Sequence, residues 1–143
     1  MKLNIFNKTR GKIDRVFCKK VVATIVKIVG KGLEASLVFV SEKEIQKLNK
    51  KYRQKNKATN VLSFSDTKEK NFDQNTKYLG EIFICLSVAQ KEAKQYGWSL
   101  KHNLARLIVH GALHLLGFDH SNLKNRKKME GLENIIMCKL NYD

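Results

Sequence analysis

The sequence predicts a single α/β domain over residues 1–143, a small mixed sheet of about four strands packed against about five helices. Three observations carry this. Short runs rich in β-branched and aromatic residues alternate with stretches whose apolar residues recur at helical spacing. Several of those stretches open at a serine placed to cap a helix and close at a glycine. No internal repeat and no long linker divides the chain, whose length suffices for one ordinary core.

Leu3–Phe6 is the first strand candidate. Lys12–Val29 follows as a helix, with Ile13, Val16, Phe17, Val21, Ile25 and Ile28 inward and Gly30 and Gly32 ending it. Its many β-branched residues are weak helix formers, so packing must hold it. Leu33–Val40 reads as a strand with Leu33, Ala35, Leu37 and Phe39 on one face. Ser41 and Glu44 form a capping box for a helix through Tyr52 that buries Ile45, Leu48 and Tyr52. Arg53–Asn60 is a polar, basic loop and Val61–Ser65 a strand. Asp66–Lys77 has no apolar periodicity and reads as a mobile surface loop. Leu79–Leu86 is nearly continuous in apolar residues, as a buried central strand would be. Ser87 and Gln90 repeat the capping pattern for a helix ending at Gly97. Ser99 caps a long buried helix. Ser121 or Asn122 caps a last one, with Leu123, Met129, Leu132, Ile136 and Leu140 inward.

The chain carries 28 basic against 13 acidic residues, a formal net charge of +15. Such a balance favours a polyanionic partner, nucleic acid first. No apolar run is long enough to cross a membrane, and the first residues lack the apolar stretch of a signal peptide. Cys18, Cys85 and Cys138 are odd in number, scattered and in no CxxC pair, which argues against a disulfide framework and for reduced thiols in the cytoplasm.

The densest chemistry lies at the end of the long helix, where His110, His114 and His120 stand as HxxxHxxGxxH. Four residues apart, His110 and His114 project from one face of a helix. Gly117 suits the left-handed position that ends a helix and lets the chain bring His120 back. Three imidazoles with a fourth position open is the layout of a catalytic zinc site. A single histidine in a helix this apolar would read as a satisfied core residue, but burying three without a shared partner is costly. The spacing is also that of the metzincin peptidases, HExxHxxGxxH, except that Gly111 replaces the glutamate that serves there as general base. A carboxylate restored at 111 is expected to reach towards the metal.

Two stretches carry a more specific resemblance. His110-Gly111-Ala112-Leu113-His114-Leu115-Leu116-Gly117-Phe118-Asp119-His120 resembles the pattern HGxLHLxGyDH of the YbeY family of bacterial rRNA maturation factors. Leu48–Arg53 and Thr59–Phe64 resemble that family's LNxxYR and TDVLSF, and Leu79–Ile82 its LGDI. Met129 and Glu133 match the family's last helix. Two departures stand out: Asn60 replaces an aspartate, and Ala58 and Ser65 stand where prolines are usual.

The resemblance implies a metal-dependent endoribonuclease with one zinc per chain on His110, His114 and His120. It also counts Arg53 among the functional residues, so that Arg53 and His110 become the catalytic candidates. From the residues alone Arg53 reads as a solvated arginine in a basic loop with Lys50, Lys51, Lys55 and Lys57, all candidate phosphate contacts. Asp119 reads equally as an orienter of an imidazole or as a turn residue. His102 is an ordinary first-turn residue. The implied partners are single-stranded or ribosomal RNA, the small ribosomal subunit and assembly factors, with no membrane. Whether water or a ribose 2′-hydroxyl is the nucleophile stays open. So do a metallopeptidase-like hydrolase and a non-enzymatic assembly factor with structural zinc. No stacking platform for bases is visible, so sequence preference is expected to be weak.

Overall fold

A computed structural model describes residues 2–30, 33–66 and 77–142. In chain order the elements are β1 (Lys2–Asn7), α1 (Arg15–Val29), β2 (Leu33–Phe39), α2 (Glu42–Arg53), β3 (Val61–Ser65), β4 (Lys77–Ile84), α3 (Leu86–Tyr96), α4 (Leu100–Leu115) and α5 (Leu123–Lys139). The sheet has the order β1-β2-β4-β3. β1, β2 and β4 run parallel, and β3 pairs antiparallel to β4. This is the mixed α/β domain that the sequence predicts.

β2 is buried on both faces because its residues alternate between two cores. Ala35, Leu37 and Phe39 join the larger one, with Val21 and Ile25 of α1, Leu107 and Ile108 of α4, and Met129 and Ile136 of α5. Val38 and Val40 join the smaller one, with Ile45 of α2 and Leu62 of β3. Ile82 and Ile84 complete the first layer from β4, the predicted central strand. A fully buried Leu or Ile contributes about 1.5–3 kcal/mol, so α4, apolar on most of its circumference, anchors the domain.

Several boundaries differ from expectation, each for a local reason. α1 starts after Asp14, not at Lys12, because the Asp14 carboxylate accepts the Phe17 amide at 3.0 Å. Val16, expected inward, is 79% exposed. α3 starts at Leu86 behind Cys85, and β4 ends at Ile84. Ser87 does not cap α3; its hydroxyl donates to Glu42 at 3.0 Å, where Lys91 also binds. Arg53 is the last residue of α2 rather than the start of a loop, and Tyr52 is half-exposed beside Phe64. Of the two cap candidates for α5, Asn122 caps, and Leu123 faces solvent. The loop expected at Asp66–Lys77 lies largely outside the described residues, as do Gly32 and the side chain of Leu33; Lys77 belongs to β4.

Cys18 and Cys85 are buried, Cys138 is exposed, and all three are free thiols. Burial, then the Asp14 carboxylate, pushes the Cys18 thiol up to about 11, which makes it inert. No helix among the described residues is long and apolar enough to cross a membrane.

Candidate metal centre

Between Lys101 and Leu115, α4 keeps four side chains partly exposed: His102, Arg106, His110 and His114. Each lies four residues after the last, so they form one stripe along a helix otherwise buried. The C-terminus of α4 is built to fold the chain back. Gly117 takes φ +97°, its amide donates to His114 O at 3.0 Å, and the Phe118 amide donates to Leu113 O at 3.0 Å. This is the Schellman closure, with Phe118 packed on the core beyond it. The predicted glycine therefore does the predicted job, and His120 returns to the other two histidines.

One ligand nitrogen from each of His110, His114 and His120 lies within 4.8 Å of the others. The Nε2 atoms of His110 and His114 are 3.1 Å apart. Burial, then the neighbouring His110 and His120 rings, holds His114 below the usual histidine range, so its imidazole is neutral at pH 7 with a lone pair to offer. Nδ1 of His110 lies 3.0 Å from Oε1 of Glu133 on α5. A carboxylate there takes the Nδ1 proton as donor and leaves Nε2 as the free lone pair. Borderline nitrogen donors in this number suit zinc.

The sequence named Glu133 only as part of a motif and offered Asp119 as the orienting carboxylate. The structure shows the turn reading of Asp119: its Oδ1 accepts from the amide and hydroxyl of Ser121, at 3.1 and 2.7 Å. Glu133 is the carboxylate that meets an imidazole. Only the packing of α5 on α4 reveals it.

Arg53 lines the same open groove as His110 and His114, with Val61, Ser63 and Ser65 of β3. Its Nη2 donates to Ser63 O at 2.9 Å, and its guanidinium lies 5.5 Å from the Phe64 ring centre. Both contacts fix the group, and among the described residues its other N–H donors have no partner. Lys50, Lys51, Lys55 and Lys57 are exposed around the end of α2, outside the groove lining.

Gly111 faces the sheet. A Cβ there would sit 2.9 Å from Ile82 Cγ2 and 3.0 Å from Ser63 Oγ. Gly111 is thus the point where α4 approaches β3 and β4, and a glutamate at 111 could turn towards the histidines only by displacing Ile82 or Ser63. Gly111→Glu should lower the stability of the metal-free protein by about 1–3 kcal/mol, the usual cost of overpacking. It should add no RNA cleavage. An unchanged denaturation midpoint would mean that the helix and sheet can part at no cost.

Asn60 lies in a separate polar network. Its Nδ2 donates to both oxygens of Glu92, at 3.2 and 3.0 Å. Glu92 also accepts from Asn103 Nδ2 at 3.0 Å and from Arg106 Nη2 at 2.8 Å. Asn103, fully buried, donates to Ala89 O at 2.8 Å as well. An aspartate at 60 would set two carboxylates against each other, so the amide complements Glu92 here.

Rings that the sequence left separate come together at the other end of α4. Tyr96, Trp98, His102 and Tyr142 stack in succession, with centroids 5.0, 4.7 and 5.1 Å apart. No such platform of stacked rings is visible in the sequence, and His102 is its third ring. The platform joins the end of α3, the start of α4 and the C-terminal tail, which no local pattern could show.

The sequence model of a family described as "Endoribonuclease YbeY" matches residues 4–141. An "Endoribonuclease YbeY" of Phytoplasma australiense is 37% identical over 145 aligned positions, covering 100% of this chain and 98% of its own. One from Buchnera aphidicola subsp. Baizongia pistaciae is 43% identical over 120, covering 84% and 77%. The fold is similar to the solution structure of TM1509 from Thermotoga maritima, with TM-score 0.62 and 21% identity over 97% of this chain and 91% of that one. With the family matched over nearly its whole length, the chain belongs to the YbeY endoribonucleases.

Proposed function

We propose that this endoribonuclease is zinc-dependent, cuts single-stranded RNA, and serves ribosomal RNA maturation and ribosome quality control in the cytoplasm. Its partners in that reading are the small ribosomal subunit and assembly factors. The observation that carries the chemistry is the cluster of three imidazole nitrogens, two of whose histidines, His110 and His114, share one groove with the Arg53 guanidinium.

His110, His114 and His120 would hold one zinc ion. Such an ion would supply Lewis acidity, which polarises a phosphoryl oxygen or brings the pKa of water to about 7. Glu133 fixes the ring of His110. Arg53, tethered to Ser63 O, presents its remaining donors to a non-bridging phosphate oxygen. The lysines around the end of α2 draw in the RNA backbone without aiming at a single atom.

The test pairs ribosomal RNA with casein, each incubated with the metal-loaded protein with and without chelator. RNA is expected to be cut only without chelator, and casein never. Casein cleavage would restore the peptidase reading, and RNA binding without cleavage the assembly-factor reading. With the same preparation, log affinity for RNA should fall steeply against log salt, as released counterions require. A slope near zero would remove the electrostatic part of the proposal.

A further inference from the structure

We propose that the ring stack headed by Tyr96 is a second RNA contact, a subsite at the far end of α4 from the histidines on which an unpaired base stacks. The inference rests on the endoribonuclease reading and adds a place for substrate outside the histidines. Tyr96 is 60% exposed, and among the described residues its one ring contact is Trp98 at 5.0 Å. Trp98, His102 and Tyr142 back it in near-parallel planes, inclined by 28, 20 and 23° along the series. A base added to the other face of Tyr96 would extend an ordered stack, at little entropic cost. Every base offers a π-face to such a surface.

Two further observations point to RNA rather than another apolar partner. The Arg106 guanidinium lies 5.3 Å from the Trp98 ring centre and is held by Glu92. Arg106 and His102 belong to the same exposed stripe of α4 that ends in His110 and His114. From His102 to His110 the helix rises about 12 Å, and Tyr96 stands two rings away from His102, so the strand that reaches both sites runs over several nucleotides. Basic residues flank the stack: Lys94 in the last turn of α3, and Lys101 at 5.6 Å from the Phe17 ring, whose edge meets Tyr142. A strand with one phosphate at the metal can lay a base several nucleotides away on Tyr96.

Trp98 is the only tryptophan of the chain, so its fluorescence reports on the stack directly. The metal-loaded protein is titrated with a cleavage-resistant 2′-O-methyl phosphorothioate oligoadenylate and, separately, with inorganic polyphosphate. The oligoadenylate should quench Trp98, and polyphosphate should bind without comparable quenching. Tyr96→Ala should weaken oligoadenylate binding about tenfold or more, the usual worth of a stacked base. It should leave polyphosphate affinity and the melting temperature unchanged, and Tyr96→Phe should bind as the unaltered chain does. Equal quenching by polyphosphate, or an alanine variant with full affinity, overturns the subsite. If ribosomal RNA is still cut normally in that case, only the subsite is lost. A chain that neither binds nor cuts RNA refutes the functional reading as well.

Discussion

A chain carrying His114→Ala is expected to lose its metal on dialysis, and with it all measurable RNA cleavage. Removing a mere orienting partner of a ligand costs about 10–100-fold in metal affinity. Removing one of three ligands should cost more than the upper end of that range. His120→Ala separates this effect from misfolding, because His120 is exposed and supports no core contact. Both variants should melt near the metal-free unaltered chain, while added zinc raises the melting temperature of the unaltered chain alone. Metal analysis beside cleavage on the same preparations decides the matter. Full zinc occupancy in alanine variants of all three histidines would remove the site.

The second large effect is expected at Arg53. A phosphodiester gathers negative charge on several oxygens as it reacts, and a single metal ion does not reach all of them. Loss of one preorganised donor typically lowers turnover by about 10²–10³, and Arg53→Ala should do the same without changing zinc content. Arg53→Lys should recover only part, since an ammonium lacks the planar fork. A solvated arginine, as the sequence alone reads Arg53, would leave stability almost untouched when removed. The bond to Ser63 O and the contact with Phe64 now place that cost at up to about 1 kcal/mol. Single-turnover cleavage below the melting range separates the two effects. An alanine variant cutting at the unaltered rate would leave Arg53 a tether alone.

What the sequence made legible was local. Ser41, Ser99 and Asn122 cap as their positions suggest, accepting the amides of Glu44, His102 and Asn125. The histidine spacing and Gly117 sufficed for the site because helix periodicity and one left-handed residue determine it. Ser87 misled because its serine pattern competes with a better partner, Glu42, on a different helix. Tyr52 misled because helical spacing gives a direction and not a depth. Glu133 and the Tyr96 stack were invisible for a common reason. Each depends on how separate elements dock on one another, which no periodicity encodes.

The position of Arg53 also bears on what the groove turns away. β3 ends the sheet order, so among the described residues no strand lies along its outer side. Asn60 O accepts from Cys85 N just past β4 and Asp66 N donates to Leu79 O of β4, so the alternation of an antiparallel pair points the backbone groups of Val61, Ser63 and Ser65 outward. An extended polypeptide could bind there by adding a fifth strand, as peptides do on open sheet edges. The middle carbonyl of that row, Ser63 O, is already taken by the guanidinium. A peptide amide arriving opposite it meets a positive charge in place of an acceptor. One side chain can thus blunt the edge against aggregation and bias the groove against protein substrates, while offering phosphate the donors that remain.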